Sequence, residues 1–193
     1  MNSFETLREI ILNRRSVKPA LMNGKKIDKN IIEQLLELAD WAPTHGHTEP
    51  WRFIVYSEEK VQQFCNEHAE LYKSITPADK FSTSTFEKLA HNGDKVSHII
   101  AVVMQRGNNP KIPVLEEISA VSAAVQNILL AAETLGLAVL WSTGGLAHHP
   151  ALKNYFGLRE EDLVIGLLYM GYADDNNKQG TRIISLENKI YWK

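Results

Sequence analysis

The sequence predicts a layered domain of interspersed helices and strands, of the α/β or α+β class. Apolar residues recur at helical spacing in several segments, and compact apolar runs bounded by turn residues, typical of strands, separate these segments. The chain has no internal repeat, low-complexity tract or linker, so we expect residues 1–193 to form a single domain. Periodicity alone does not choose between the two fold classes.

Composition excludes several functional classes. Hydrophobic residues make up 44% of the 193 residues and charged residues 23%, which is the balance of a globular domain with a sizeable core. The formal net charge of −2 argues against a dedicated nucleic-acid-binding protein, because such proteins are usually strongly basic. Cys65 is the single cysteine, which rules out an intramolecular disulfide and any cysteine-rich metal site.

The sequence gives no sign of export or membrane insertion. Its start carries Glu5 and Glu9 and lacks a basic segment followed by an apolar one. The longest uninterrupted apolar run covers residues 99–104, far short of the ~18–20 residues that a helix needs to cross a bilayer. We therefore expect a cytoplasmic protein without a membrane segment.

The first half of the chain predicts three helices and one strand. An amphipathic helix opens the chain and ends before Pro19, with apolar residues at Phe4, Leu7, Ile10 and Ile11. Asp28 is a candidate N-cap for a second helix, which ends by Pro43. A polar loop precedes a strand over residues 51–56, and Ser57 is predicted to cap a third helix.

The second half predicts three strands around one long helix. Residues 74–94 give a weak pattern, with a short helix around residues 86–89. The long helix covers residues 115–135 and ends at Gly136. A loop, Ser142-Thr143-Gly144-Gly145, follows the strand at 137–141, and the tail after residue 174 is polar. The remaining elements are strands at 98–104 and 163–170, a short helix at 150–156 and an extended ending at 190–192.

The segment Arg14-Arg15-Ser16-Val17-Lys18 is the sharpest local feature. It places three cations and a hydroxyl within five residues of a chain that is acidic overall. Guanidinium groups can hold a phosphate through paired hydrogen bonds, and lysine adds a point charge. The alternative is a solvated basic face at a helix C-terminus, where cations also favour the helix dipole.

Two other motifs are less specific. The histidines of His45-Gly46-His47 and His148-His149 are good metal ligands in principle, but their spacing matches no known ligand pattern, so we expect surface or hydrogen-bonding histidines and no metal. Trp141-Ser142-Thr143 with its following glycines could line a flat heteroaromatic ligand, or form only a turn. No Ser–His–Asp or paired-carboxylate arrangement is evident, so no catalytic residue is predicted.

Three motifs in register over nearly the whole chain resemble the nitroreductase family. Residues 14–18 are similar to its Arg-x-Ser-x-Lys element after the first helix. Ala42-Pro43 through Pro50-Trp51-Arg52-Phe53 resembles its segment "Ala-Pro-Ser … Asn-x-Gln-Pro-Trp-x-Phe". The last match runs from Gly136-Leu137 into Trp141-Ser142-Thr143 and then from Gly166 to Gly171. The short length and the Trp-Ser-Thr segment point to the small-nitroreductase subgroup.

The resemblance implies a three-layer α+β fold around a mixed sheet, and a homodimer with two molecules of flavin mononucleotide (FMN) at its interface. It implies that Arg14, Arg15, Ser16 and Lys18 meet the ribityl chain, phosphate and ring edge. Trp41 and His45 would approach the flavin of the other subunit, and Trp141, Ser142 and Thr143 would line the same flavin. Arg182 resembles a late phosphate-contacting arginine, the alternative being an exposed tail charge. His47 and Glu49 stand where many members have Asn and Gln, so no contact is carried over there.

The implied activity is an NAD(P)H-dependent oxidoreductase in which the flavin performs the chemistry. NADH or NADPH would reduce the flavin, and a nitroaromatic, quinone or other electron-poor acceptor would reoxidise it by a ping-pong scheme. Two alternatives stay open: another reductive reaction on the same scaffold, such as dehalogenation or enone reduction, and a flavin-binding or regulatory protein with little turnover.

Overall fold

The computed structural model of the chain describes residues 2–174 and 180–193. Its centre is a four-stranded sheet of β1 (Trp51–Ser57), β2 (His98–Met104), β3 (Ala138–Ser142) and β4 (Leu163–Gly171). The strand order is β1-β2-β4-β3, and all three neighbouring pairs are antiparallel. A parallel bridge joins Ser16 to Val139 outside the named strands. The α+β class is therefore confirmed. The expected mixed sheet is corrected to an antiparallel one in the described residues, because parallel pairing is limited to this isolated bridge.

Six α-helices surround the sheet in the described part of the chain. They are α1 (Ser3–Asn13), α2 (Lys29–Asp40), α3 (Glu59–Ile75), α4 (Thr83–His91), α5 (Val114–Thr134) and α6 (Pro150–Tyr155). Short 3-10 turns occur at Pro19–Leu21, His45–His47 and Glu187–Lys189. Within the poorly patterned stretch 74–94, the expected short helix is present as α4.

The sheet has a hydrophobic core on each face, which makes three layers. β2 is buried along its whole length, so its successive side chains supply both cores. Ile100, Val102 and Met104 pack with α2 and α5, whereas Ile99 and Ala101 pack with α3 and α6. The three-layer arrangement expected from the resemblance is confirmed.

Most helix ends agree with the sequence signals, and one does not. Asp28 caps α2 by accepting the Asn30 backbone N–H at 2.8 Å, and Gly136 ends α5 in the left-handed region at φ +65°. The prediction that Ser57 caps the third helix is wrong. Ser57 is the last residue of β1, where it pairs with His98, and Glu58 makes the turn into α3 with a φ of +53°.

Two helices leave apolar surface uncovered. None of the α1 residues is buried, and Phe4 is 68% exposed. α5 is long enough and apolar enough to cross a membrane, with a mean hydropathy of 1.4, but it packs into the core against α2 and the sheet. Only 39% of the most apolar 18-residue stretch of α5 is buried in the isolated chain. Core packing therefore accounts for part of the apolar character of α5.

Candidate functional site

The basic segment 14–18 lies along the free edge of β3. Besides the parallel bridge at Ser16, the Val17 backbone N–H donates to the Val139 carbonyl at 3.0 Å. Val17 is buried and Ser16 and Lys18 are exposed, as expected where alternate side chains of extended backbone face opposite ways. The segment is therefore tied to the sheet edge with its hydroxyl and ammonium groups facing outward.

The described part of the tail returns to this segment. A Cβ atom added at Gly180 would lie 2.6 Å from the Arg15 Cζ atom, so the tail backbone passes directly against that guanidinium. Arg15 is half-buried and donates from Nη1 to the Leu12 carbonyl at 2.6 Å. Arg182 follows two residues after Gly180, is exposed and donates to the Thr181 carbonyl. The tail backbone two residues before Arg182 thus lies against the basic cluster.

Trp141, Ser142 and Thr143 lie on the same strand edge. Trp141 is half-buried, and its indole Nε1 donates to the Ile165 carbonyl on β4 at 3.3 Å. Ser142 was expected in a loop but is the last residue of β3, and Thr143 is exposed just beyond it. The backbone of β3 and the basic segment run parallel here, so both sets of predicted site residues flank one edge.

Trp41 and His45 occupy a different region. Trp41 is 81% exposed at the end of α2, and the His45 ring donates from Nδ1 to the Glu116 carboxylate in the first turn of α5. Among the described residues, no hydrogen bond joins either side chain to the basic segment or to β3. β1, which follows the turn of His45, and β3 are opposite edges of the sheet, so these two residues lie apart from the eight others within one chain.

The other histidines of the sequence motifs have local roles. The His148 ring donates from Nδ1 to the Val164 carbonyl at 3.1 Å, and His149 caps α6 by accepting the Ala151 backbone N–H. Within residues 2–174 and 180–193, no group of three His, Cys, Asp or Glu side chains is arranged to hold a metal ion. The lone thiol of Cys65 is buried, and this burial, with a smaller effect of Asp94, raises its pKa to about 12.

Sequence reasoning missed a second polar constellation. Arg52, Arg106 and Arg159 line a cavity of about 460 Å³ together with His47. Arg52 lies near the start of β1, Arg106 follows β2 and Arg159 precedes β4, and these strand ends meet at one end of the sheet. The usable signal was therefore the position of each arginine at a strand end, which becomes informative only when the antiparallel pairing is known.

Comparison of the sequence with protein families agrees with this arrangement of residues. Residues 11–172 match the sequence profile of the Nitroreductase family. The chain belongs to the nitroreductase family. Members of this family are oxidoreductases, so the expectation that the protein is an enzyme is confirmed at this level. The match begins in α1 and ends just after β4, so it includes the basic segment and the Trp141–Thr143 edge.

Relatives and solved structures agree with the nitroreductase assignment. The Bacillus subtilis protein YfhC, provisionally named an NAD(P)H nitroreductase, is 27% identical over 176 residues, which cover 91% of this chain and 88% of that protein. The Drosophila melanogaster iodotyrosine deiodinase is 27% identical over 188 residues, covering 90% of this chain and 64% of that protein.

Two solved structures share the nitroreductase fold over the whole chain. A nitroreductase-like protein from Bacillus cereus superposes with a TM-score of 0.83 at 26% identity, covering 100% of this chain and 98% of that one. A nitroreductase of Desulfovibrio desulfuricans solved in complex with FMN has a TM-score of 0.73 at 21% identity, with the same coverage.

Proposed function

We propose that this protein is an FMN-dependent oxidoreductase that takes hydride from NADH or NADPH and passes electrons to a small electron-poor acceptor. The observation that carries the proposal is the shared edge at β3, where the basic segment lies beside Trp141–Thr143 and the tail backbone at Gly180 lies against Arg15. The NAD(P)H nitroreductase name of the Bacillus subtilis relative and the FMN held by the Desulfovibrio desulfuricans structure support it.

The residues at this edge fit an FMN phosphate and ring. Arg14, Arg15, Lys18 and Arg182 supply cations, and the Ser16 hydroxyl adds a hydrogen-bond donor. Gly166 lies against Trp141, since an added Cβ atom would be 2.4 Å from the indole Nε1. The indole therefore packs on glycine backbone, which holds a flat surface in place for an aromatic ligand.

When bound, FMN supplies the two-electron chemistry, and the chain's own groups bind and orient it. Cations at the phosphate end fix the flavin, while Trp141, Ser142 and Thr143 limit its position at the ring end. Because the flavin would supply the chemistry and the protein would only bind and orient it, no protein nucleophile or acid–base pair is needed.

We further propose that residues 1–193 form one flavin-binding domain that acts as a homodimer in the cytoplasm. The exposed side chains on α1, the apolar face of α5 and the tail residues Tyr191 and Trp192 (83% and 92% exposed) support the dimer. Such surface is unusual on a monomer. Trp41 and His45 would then reach the flavin held mainly by the other chain.

A reductive dehalogenation is the second candidate reaction. The similarity to an iodotyrosine deiodinase over 90% of this chain favours it. It uses the same flavin site and differs in the acceptor, so the test must separate acceptors rather than cofactors.

The proposal is tested by loading the protein with FMN or FAD, removing unbound flavin and chromatographing what denaturation releases. We expect FMN, because the site has one cluster of cations and no Gly-rich pyrophosphate loop at a helix N-terminus. Steady-state oxidation of NADPH with a quinone, a nitroaromatic or a halophenol then identifies the acceptor class. Predominant FAD, or no turnover with any acceptor, contradicts the proposal.

A further inference from the structure

The cavity lined by His47, Arg52, Arg106 and Arg159, here called the arginine cavity, is separate from the β3 edge. It lies where β1 begins, β2 ends and β4 begins, since Trp51 pairs with Met104 and Met104 pairs with Leu163. β3 runs antiparallel to β4, so the chain leaves β3 after Ser142 toward this same end of the sheet. The arginine cavity and the Trp141–Thr143 segment therefore face a common end of the molecule.

Two arginines of the arginine cavity are paired with carboxylates that lie outside its lining. The Arg106 guanidinium donates to the Glu117 carboxylate, which is buried. Arg159 donates from Nε and Nη2 to Asp162 at 3.1 and 2.9 Å. Burial works against ionisation of Asp162, but hydrogen bonds from the Arg159 side chain and from backbone N–H groups outweigh it and lower its pKa. Both guanidinium groups are therefore held rigidly by buried carboxylates that lie outside the cavity lining.

Arg52 makes no ion pair with a described residue, although it also borders a second cavity lined by Glu33, Glu37, Asp40 and Glu49. Its Nη1 group donates to the Glu49 and Trp51 carbonyls at 2.9 and 2.7 Å, which uses one edge of the guanidinium. Within the described part of the chain, no carboxylate lies within ion-pair distance of Arg52, and none lines the cavity. The described lining thus holds three guanidinium groups and no carboxylate. Glu117, Asp162 and Glu161 offset charge from outside the lining, the last by pairing with Arg159 at 3.3 Å, and Arg52 keeps unused donors on an exposed side chain.

The backbone holds His47 at the cavity in a strained conformation. His47 has a φ of +52° and follows Gly46 at +60°, within the turn that also contains His45. A left-handed conformation is costly for a residue other than glycine, and it persists where the surrounding structure imposes it. The same short turn therefore presents His45 toward α5 and His47 toward the cavity.

The lining selects a particular ligand chemistry. Planar guanidinium groups match phosphate oxygens, and the side-chain amides of Asn108 and Asn109 add neutral hydrogen-bonding groups at the rim. The volume of about 460 Å³ is enough for a pyrophosphate with part of its sugars, and too small for a complete dinucleotide. A pyrophosphate also offers enough oxygens to meet several cations at once, which a single carboxylate does not.

We propose that the arginine cavity binds the pyrophosphate of the reduced nicotinamide dinucleotide, with Arg52 and His47 as direct contacts. This assignment rests on the proposed function, which supplies the dinucleotide as hydride donor. Arg106 and Arg159, which their carboxylates hold in place, line the cavity beside the ligand. Because His47 shares its turn with His45, the cavity would serve the flavin that His45 reaches, which is held mainly by the other chain.

Inorganic pyrophosphate, titrated calorimetrically into the flavin-loaded protein at low salt, tests the site directly. Loss of one charged contact weakens such binding by about tenfold to hundredfold. We expect that loss for Arg52→Gln. His47→Asn should lose less, and asparagine tolerates the left-handed backbone at this position. Arg52→Lys should recover part of the binding, because lysine keeps the charge but not the paired hydrogen-bond donors of the guanidinium. Lys88→Gln, which removes an exposed cation from α4, should bind like the wild type. Thermal unfolding of each variant checks the fold.

The second measurement is anaerobic reduction of the bound flavin. Arg52→Gln should raise the apparent Kd for NADH and NADPH by similar factors and leave the limiting rate of reduction unchanged, because the pyrophosphate is common to both donors. Equal pyrophosphate binding by wild type and Arg52→Gln, or none by either, overturns the proposal. The proposal is also overturned if Arg52→Gln weakens the binding of NADPH but not of NADH, or if it changes only the reoxidation of the flavin by 4-nitrobenzoate. A protein that no donor reduces refutes the proposed function, whereas the pyrophosphate titration still decides whether the anion site exists.

Discussion

At the scale of single residues, the basic segment differs from a solvated helix end in what surrounds it. Val17 is buried and hydrogen-bonded to β3, and Arg15 is half-buried against the tail at Gly180. A purely solvated cluster would need neither constraint. These contacts favour a binding role for the cations, and they make Arg14, the first residue after α1, a direct test of it.

Replacing Arg14 with alanine should release FMN while leaving the fold intact. A hydrogen bond to a charged group contributes about 1.5–3 kcal/mol, so the Kd for FMN should rise about tenfold to hundredfold. Quenching of flavin fluorescence measures the Kd. Lys88→Ala, which truncates an exposed cation of α4 away from the proposed interface, is the matched control. Unchanged affinity in Arg14→Ala would show that the cluster is only a solvated face.

His68 makes stability depend on pH. The side chain is 5% exposed, stacks on Phe64 and leaves both ring nitrogens without a hydrogen-bond partner. Burial lowers the pKa of His68 from 6.5 to about 4. Between these values the unfolded chain binds a proton that the folded chain excludes, so the free energy of unfolding decreases as the pH falls from about 6.5 to about 4.

His68→Leu should remove this contribution, which is roughly 3 kcal/mol at full extent. It should also raise the free energy of unfolding at pH 7, because it removes a buried polar ring without a hydrogen-bond partner. Urea unfolding at pH 7 and at pH 4.5 measures the difference between variant and wild type. His68→Gln is the companion variant, because it removes the titration but keeps a buried polar group, so it should share the weaker pH dependence without the gain at pH 7. Identical pH dependence in all three proteins would contradict this role of His68.

At the scale of elements, β4 depends on one glycine. Gly166 has a φ of +148°, and an added Cβ atom would lie 2.8 Å from the Ser142 carbonyl as well as against the Trp141 indole. The β2–β4 register also shifts beside it, between Val102 and Val103. The irregularity therefore lets β3 pack Trp141 closely on β4.

Gly166→Ala should lower the free energy of unfolding by roughly 2–4 kcal/mol, from backbone strain and the forced displacement of Trp141. Chemical unfolding monitored by tryptophan fluorescence measures the loss. Gly144→Ala is the control, since an added Cβ atom there meets nothing within 4 Å. Equal stability of the two variants would show that the close contact at Gly166 carries no strain.

Elements whose signals are local could be predicted from the sequence. The continuous apolar run of β2, the Asp28 cap and the Gly136 stop each depend on neighbouring residues, and each prediction agrees with the structure within a few residues. The prediction that Ser57 caps α3 was wrong because Ser57 pairs with His98 in the sheet, and this pairing overrides its preference for a helix cap. The arginine cavity was not predictable, because its members are distant in sequence and meet only through antiparallel pairing.

At the scale of the whole molecule, the apolar surface of α1, α5 and the tail calls for a second copy. An obligate interface of this kind buries on the order of 2,000–5,000 Å². The proposed dimer also explains why Trp41 and His45 lie apart from the basic segment within one chain. Flavin binding and dimerisation must then be linked, because a ligand that touches both chains stabilises the assembled state.

Mixing an Arg14→Ala chain with a His45→Ala chain tests the shared site. If each flavin is held by both chains, a heterodimer contains one site with both lesions and one with neither, so part of the flavin binding returns. If both residues act within one chain's site, every heterodimer site carries one lesion. Native mass spectrometry establishes that heterodimers form, and no recovery in their presence would refute the shared site.

The absorbance spectrum of the FMN-loaded protein under anaerobic conditions tests the central claim most directly. A flavin oxidoreductase should be yellow, should lose its flavin absorbance on addition of one equivalent of NADH or NADPH, and should regain it on addition of a quinone. A yellow sample whose spectrum does not change with either donor would contradict the account, and would identify a flavin-binding protein without turnover.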